Sequence, residues 1–221
     1  MKTGTGTSKT TEVKIPSGGI RMQGILILPD AAKGLVLFAH GSGSSRLSPR
    51  NQFVAQELNS AGFATLLFDL LTAEEEKLDD VTGELRFDCG LLARRLSDAT
   101  TWVMGQPGAK GLPLGYFGAS TGAGAALQAA ASRPRDVKAV VSRGGRPDLA
   151  GEKLRLVRAP TLLIVGGLDD VVIPLNQQAL AKLTCEKELS IVPGATHLFE
   201  EPGTLERAAE LSTYWFDKHL K

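Results

Sequence analysis

Six short apolar runs punctuate the chain: GLVLFA (34–39), ATLLFD (64–69), LPLGYF (112–117), VKAVVS (137–142), TLLIVG (161–166) and ELSIV (188–192). Continuous apolar runs of this length suit strands covered on both faces. The stretches between them carry helical patterns. One begins near Pro49 and runs through NQFVAQELNSAG. The others are RFDCGLLARRLSDATTWVMG, TGAGAALQAAASR, PLNQQALAKL and GTLERAAELSTYWFDKHL. Alternating strands and helices specify an α/β protein with a doubly wound, mostly parallel sheet. Two earlier segments, TEVKIP and IRMQGILILP, flank a Ser-Gly-Gly turn and read as an antiparallel pair, bringing the sheet to about eight strands.

The 221 residues suit one domain, expected over 11–221 behind a flexible tail of residues 1–10. With 43% hydrophobic and 22% charged residues, a core of ordinary size needs no metal or disulfide staple. A formal net charge of +1 points to neither nucleic acid nor an anionic membrane. The start, MKTGTGTSKT, lacks the apolar region of a secretory signal, and no apolar run approaches a membrane span, so the expected location is cytoplasmic. Cys89 and Cys185 lack metal-ligand spacing and read as free thiols; Cys89 lies in a helical stretch, a poor place for a nucleophile. No metal site is expected.

Ligands of such sheets bind beyond the carboxyl ends of the strands. His40-Gly41-Ser42-Gly43 follows the first parallel strand, and Gly118-Ala119-Ser120-Thr121-Gly122 the third. Gly166-Gly167-Leu168-Asp169-Asp170 and Pro193-Gly194-Ala195-Thr196-His197 follow the last two. A hydroxyl, a carboxylate and an imidazole thus fall on one edge. Gly118-x-Ser120-x-Gly122 between strand and helix fits a nucleophile elbow, whose tight turn leaves no room for a Cβ two residues either side of the serine. A serine hydroxyl needs a base near neutral pH. His197 is the best placed, and the order Ser120, Asp169, His197 suits this topology. Asp170 is the alternative acid. His219 reads as a solvated helix-end residue, and His40 as a buttress of its loop. Two backbone N–H groups would form an oxyanion hole, one from Thr121 and one from Ser42 or Gly43.

Taken together, HGSGSS, GASTGAG, GGLDDVV and PGATHLF resemble the α/β-hydrolase superfamily in its small dienelactone-hydrolase-like branch, over about residues 12–219. The resemblance implies hydrolysis of small carboxylic esters without a cofactor; a thioesterase or lactonase would use the same triad. Dienelactone hydrolases proper carry cysteine at the elbow. Ser120 stands there here, which favours ordinary ester chemistry. The interval 143–160 has no room for the helical cap that many relatives insert. Residues 72–90 are expected to form a solvated loop, with a flap as the alternative. Arg46 and Arg50, and Arg143 and Arg146, fall near the site edge. Arg46 and Arg143 are candidate ligands for an anionic substrate group, since guanidinium forks bind carboxylates in bidentate fashion.

Two other readings compete. Gly118-x-x-x-Gly122-x-Gly124 with Tyr214-x-x-x-Lys218 resembles a short-chain dehydrogenase pattern, but a dinucleotide fingerprint belongs after the first strand of its unit, and here about a hundred residues precede it. A non-catalytic binding protein on the same fold is the second.

Overall fold

Strands β1 (Ser8–Ser17) and β2 (Ile20–Pro29) pair antiparallel and meet at a turn through Gly18 and Gly19. Both glycines have positive φ, a conformation that costs other residues energy. The computed structural model describes residues 8–221. Ser8, Lys9 and Thr10, expected in the tail, instead lie in β1, in register with Pro29, Leu28 and Ile27 of β2. The rest of the expected tail, residues 1–7, lies outside the described residues.

The parallel strands are β3 (Leu35–Ala39), β4 (Ala64–Phe68), β5 (Leu114–Ala119), β6 (Val137–Arg143), β7 (Thr161–Gly166) and β8 (Lys187–Val192). They extend the pair into one eight-stranded sheet of order β1-β2-β4-β3-β5-β6-β7-β8. Alternate residues enter different cores. Leu35, Leu37, Leu114 and Tyr116 face one side, and Val36, Phe38, Phe117 and Ala119 the other. This two-sided burial is why the runs show no polar alternation. β5 sits two residues later than its apolar run suggests. Pro113 lacks an N–H and stays outside the strand, whereas Gly118 pairs with Ala39 and Ser142.

Helices α1 (Pro49–Ser60) and α6 (Thr204–His219) cover the second core. Helices α3 (Cys89–Met104), α4 (Thr121–Ser132) and α5 (Val172–Lys182) cover the first. Ser48 and Asp88 cap α1 and α3 by accepting the Asn51 and Leu91 N–H groups. Between β6 and β7 only 3₁₀ turns over Pro147–Leu156 intervene, packed on α4 and α5, so no cap domain is inserted there.

The expected loop at 72–90 is corrected. It holds helix α2 (Ala73–Thr82), whose few apolar residues hide the helical period. A reciprocal capping box between Thr72 and Glu75 starts it, and Gly83 at φ 68° stops it. Among the described residues, no helix is long and apolar enough to cross a membrane.

Candidate active site

The strand order reverses at β3, whose neighbours are β4 and β5, so a crevice opens beyond its carboxyl end. The elbow forms one wall. Ser120 has φ 49° and ψ −125°, a conformation that costs a non-glycine residue on the order of 1–3 kcal/mol. Its peptide groups are tied on both sides. The Ser120 carbonyl accepts from the N–H groups of Arg146 at 2.9 Å and Ala123 at 3.1 Å, and its N–H donates to the Arg143 carbonyl at 3.4 Å. The flanking glycines are sterically required. A Cβ on Gly118 would lie 2.5 Å from Ala123 Cα, and one on Gly122 2.1 Å from the Ala39 carbonyl oxygen.

His197 leaves β8 through a loop pinned to β7. The Leu168 N–H donates to the Ala195 carbonyl at 2.9 Å, and the Thr196 N–H and hydroxyl donate to Glu201 at 3.0 and 2.6 Å. This loop sets the imidazole above the elbow. Ser120 Oγ lies 3.3 Å from His197 Nε2, and His197 Nδ1 lies 2.7 Å from Asp169 Oδ2. The Nδ1–H therefore donates to the carboxylate, leaving Nε2 to accept from the serine. Asp169 is buried and Asp170 exposed, so the geometry selects the first of the two candidates.

The oxyanion loop differs from simple expectation. Ser42 adjoins Thr121, but its N–H donates to the Thr121 hydroxyl at 3.0 Å. The two hydroxyls also lie 3.0 Å apart. One of the two expected donors is thus occupied by the side chain of the residue supplying the other. His40 buttresses this loop. Its Nε2 accepts from the Leu70 N–H at 2.9 Å, so Nδ1 carries the proton and donates to the Gly41 carbonyl at 3.0 Å. Burial dominates and holds its pKa below the ordinary imidazole value.

The expected arginines separate. Arg46 is ion-paired and lines neither cavity at the site: its N–H donates to Asp69 Oδ1 at 2.7 Å and its guanidinium pairs with Asp69 Oδ2. That reading is corrected, because a carboxylate 23 residues away neutralises it. Arg146 pairs with Asp148. Arg143 lines a cavity of about 200 Å³ together with Ser120, His197 and Arg50. A larger cavity, about 510 Å³, opens beside Ser42 and Thr121, with Glu76, Asp79 and Asp80 of α2 in its wall. The sequence offered the α2 segment to the site only as the alternative flap, and did not assign Asn51, which touches Arg143, to it. The capping box was the available signal for α2; Asn51 gave none.

His219 is not solvated. Its side chain is 10% exposed and packs against Trp215, ring centroids 4.5 Å apart and planes tilted by 56°. Cys89 is buried at the start of α3, where burial first and nearby Asp88 second raise its thiol pKa. Among the described residues, no group of three His, Cys, Asp or Glu side chains is arranged to hold a metal ion.

The dienelactone hydrolase family model matches residues 22–220. The chain belongs to the dienelactone hydrolase family. A dienelactone hydrolase from Anabaena variabilis is 56% identical, with TM-score 0.94 over 97% of this chain and 99% of that one. Est1E from Butyrivibrio proteoclasticus, 14% identical with TM-score 0.79 over 94% and 98% of the two chains, shows the shared fold. A Mycobacterium tuberculosis protein provisionally named a phosphoribosyl transferase is 59% identical over 95% of this chain. The match covers 46% of that relative, so the chain spans about half the length of the curated relatives it matches.

Proposed function

We propose that this family member is a serine hydrolase that cleaves small carboxylic esters through an acyl-enzyme on Ser120. The unbroken Ser120–His197–Asp169 hydrogen-bond chain carries the reading. His197 takes the serine proton as Oγ attacks the ester carbonyl. It then returns that proton to the leaving alcohol. Asp169 fixes the imidazole tautomer. The Thr121 N–H, beside the N-terminus of α4, and the Ser42 N–H hold the oxyanion, the substrate oxygen displacing the Thr121 hydroxyl from Ser42. Water, deprotonated by His197, then releases the acid. The mechanism calls for no cofactor or metal.

A capless site suits small or exposed acyl groups. The partner is a small-molecule ester rather than nucleic acid or membrane. The unpaired thiols Cys89 and Cys185 fit the reducing cytoplasm. The transferase name of the longer relative does not favour a second reading, since it describes a chain about twice this length. A panel of p-nitrophenyl esters, thioesters and lactones tests the proposal. Short-chain esters are expected to turn over fastest, with loss of turnover in Ser120→Ala. Equal turnover by Ser120→Ala contradicts it.

A further inference from the structure

Asn176 sits in α5 with no exposed surface, an uncommon place for an amide. It lines neither cavity at the site. Its Nδ2 donates to the Val172 carbonyl one turn back at 2.9 Å, and to the Gly145 carbonyl, 31 residues away, at 3.0 Å. Two carbonyl acceptors fix which end of the amide carries the hydrogens. Its Oδ1 meets no donor among the described residues. A buried oxygen left without a donor destabilises a fold, and a similarly branched leucine would avoid that cost. The bond to Gly145 therefore calls for a role other than stability. The Gly145 carbonyl and the Arg146 N–H belong to one peptide group, and that N–H donates to the Ser120 carbonyl at 2.9 Å. The Ser120 carbonyl in turn shares its peptide group with the Thr121 N–H. Thr121 opens α4, so this N–H has no acceptor within the helix and is the oxyanion donor proposed above. In a trans peptide the N–H and C=O point opposite ways, so the three N–H groups follow one another head to tail. The middle peptide is closely held. A Cβ on Gly145 would lie 1.9 Å from Ser142 Oγ and 2.6 Å from Ala123 Cβ, and the adjoining Gly144 N–H donates to the Ile164 carbonyl at 2.8 Å.

We infer that Asn176 is a positioning residue for the oxyanion hole, fixing and polarising the Thr121 N–H through the Gly145–Arg146 and Ser120–Thr121 peptides. Its consequence for catalysis rests on the ester-hydrolase reading. Hydrogen bonds in series strengthen one another in a dry interior. As negative charge grows on the substrate oxygen, the Thr121 N–H is drawn towards it, and each donor behind tightens on its own acceptor. The ground-state carbonyl carries less charge and gains less from the chain. The effect therefore falls on kcat and on transition-state binding rather than on KM. Asn176 has a second route to the site. Its helix begins just after Asp169, whose carbonyl accepts from the Val172 and Ile173 N–H groups, both at 3.0 Å. An effect carried that way would act on the Asp169–His197 pair and change the titration of the imidazole, which the oxyanion route leaves alone.

Two variants separate the bond from the fold. Asn176→Leu removes both N–H bonds together with the unpaired oxygen. Asn176→Ser can still donate back to the Val172 carbonyl but is too short for Gly145. Circular dichroism checks folding; if the leucine variant does not fold, the serine variant carries the test. Gln128→Leu is the control, since its buried Nε2 donates to the Leu149 carbonyl at 3.0 Å, a similar bond outside the chain. The first readout is NMR of the free ¹⁵N-labelled protein. The Arg146 and Thr121 amide protons are expected to move upfield in both Asn176 variants, with faster exchange at Arg146, and to stay in place in Gln128→Leu. The second is kinetics with p-nitrophenyl acetate. Because losing an oxyanion donor outright costs about 100–1000-fold in kcat, losing its support should lower kcat about tenfold and weaken a boronic acid inhibitor equally. KM should change less than about twofold, and the acid limb of kcat/KM should stay where it is. Unmoved Arg146 and Thr121 amides in the folded variants overturn the inference whether or not esters are hydrolysed. Moved amides with parental kcat and boronic acid affinity in an active hydrolase also overturn it, because the bond then serves the fold alone. A displaced acid limb overturns it by assigning the effect to Asp169 and His197. Moved amides in a protein that neither hydrolyses esters nor takes a fluorophosphonate on Ser120 keep the hydrogen-bond chain and refute the hydrolase reading.

Discussion

Replacing Gly122 with alanine tests whether the elbow is held by backbone-to-backbone contact. The new Cβ would lie 2.1 Å from the Ala39 carbonyl oxygen and 2.5 Å from that of His40, against an ordinary contact of 3.4 Å or more. Neither oxygen belongs to a mobile side chain. Ala39 ends β3 and is paired with Gly118, the first residue of the elbow, so β3 cannot recede without distorting β5. Relief therefore requires the start of α4 to move by about 1 Å, carrying Ser120 with it. Overpacking of this kind costs about 3 kcal/mol, the upper part of its usual range, because the clash is with backbone. For a chain of this size that lowers Tm by roughly 6–12 °C. The Ser120–His197 separation is already 3.3 Å, so the displacement breaks that contact, and a misplacement near 1 Å costs on the order of 100-fold in kcat. Gly151→Ala is the control: its φ is also positive, at 56°, but its Cβ meets open space. It should cost on the order of 1–3 kcal/mol from backbone strain, the same range as the Ser120 conformation, and leave kcat unchanged. Differential scanning calorimetry and hydrolysis of p-nitrophenyl acetate read both quantities. A Gly122→Ala protein with parental Tm and kcat refutes the reasoning.

Asp169→Asn should lower kcat by roughly 10³–10⁴-fold with little change in Tm, because the amide holds the wrong imidazole tautomer, whereas Asp170→Asn should retain activity; steady-state kinetics of the two variants decide between the neighbours. Thr121→Val removes the hydroxyl that occupies the Ser42 N–H, a competition worth about 1 kcal/mol, so a boronic acid transition-state analogue should bind about fivefold tighter. Weaker inhibition at unchanged Tm would instead make that hydroxyl a strut of the oxyanion loop. Burial keeps the folded-state pKa of His40 below the unfolded value of about 6.5. Stability should therefore be complete above that pH and fall as pH drops below it, where the unfolded chain binds the proton first. Tm measured from pH 7.5 to 5 should show a shallower acid slope in His40→Gln, and identical slopes would remove His40 from the account.

Five of the six parallel strands were legible because each is buried on both faces, β8 being a largely exposed edge strand, and the triad because each member lies in the turn or loop after one of the six. The boundaries of β5 were less so, since Gly118 reads as turn although it pairs on both sides. Helix α2 was hidden by its composition: AEEEKLDDVT offers little apolar period, and only the Thr72–Glu75 box and Gly83 mark its ends. The two arginine candidates looked alike in sequence. Arg46 is neutralised by Asp69 beyond β4, while Arg143 meets no acid; that difference arises only when distant segments pack. The bond between the Ser42 N–H and the Thr121 hydroxyl spans 79 residues and is likewise a product of packing.

The proposed hydrolase stands or falls with Ser120 as the nucleophile, activated by His197. Its most direct test is intact-protein and peptide mass spectrometry after brief exposure to a fluorophosphonate. One adduct per chain is expected, located on Ser120, formed far more slowly in His197→Ala and absent in Ser120→Ala. A parental protein that stays unlabelled, or carries its adduct on another residue, contradicts it.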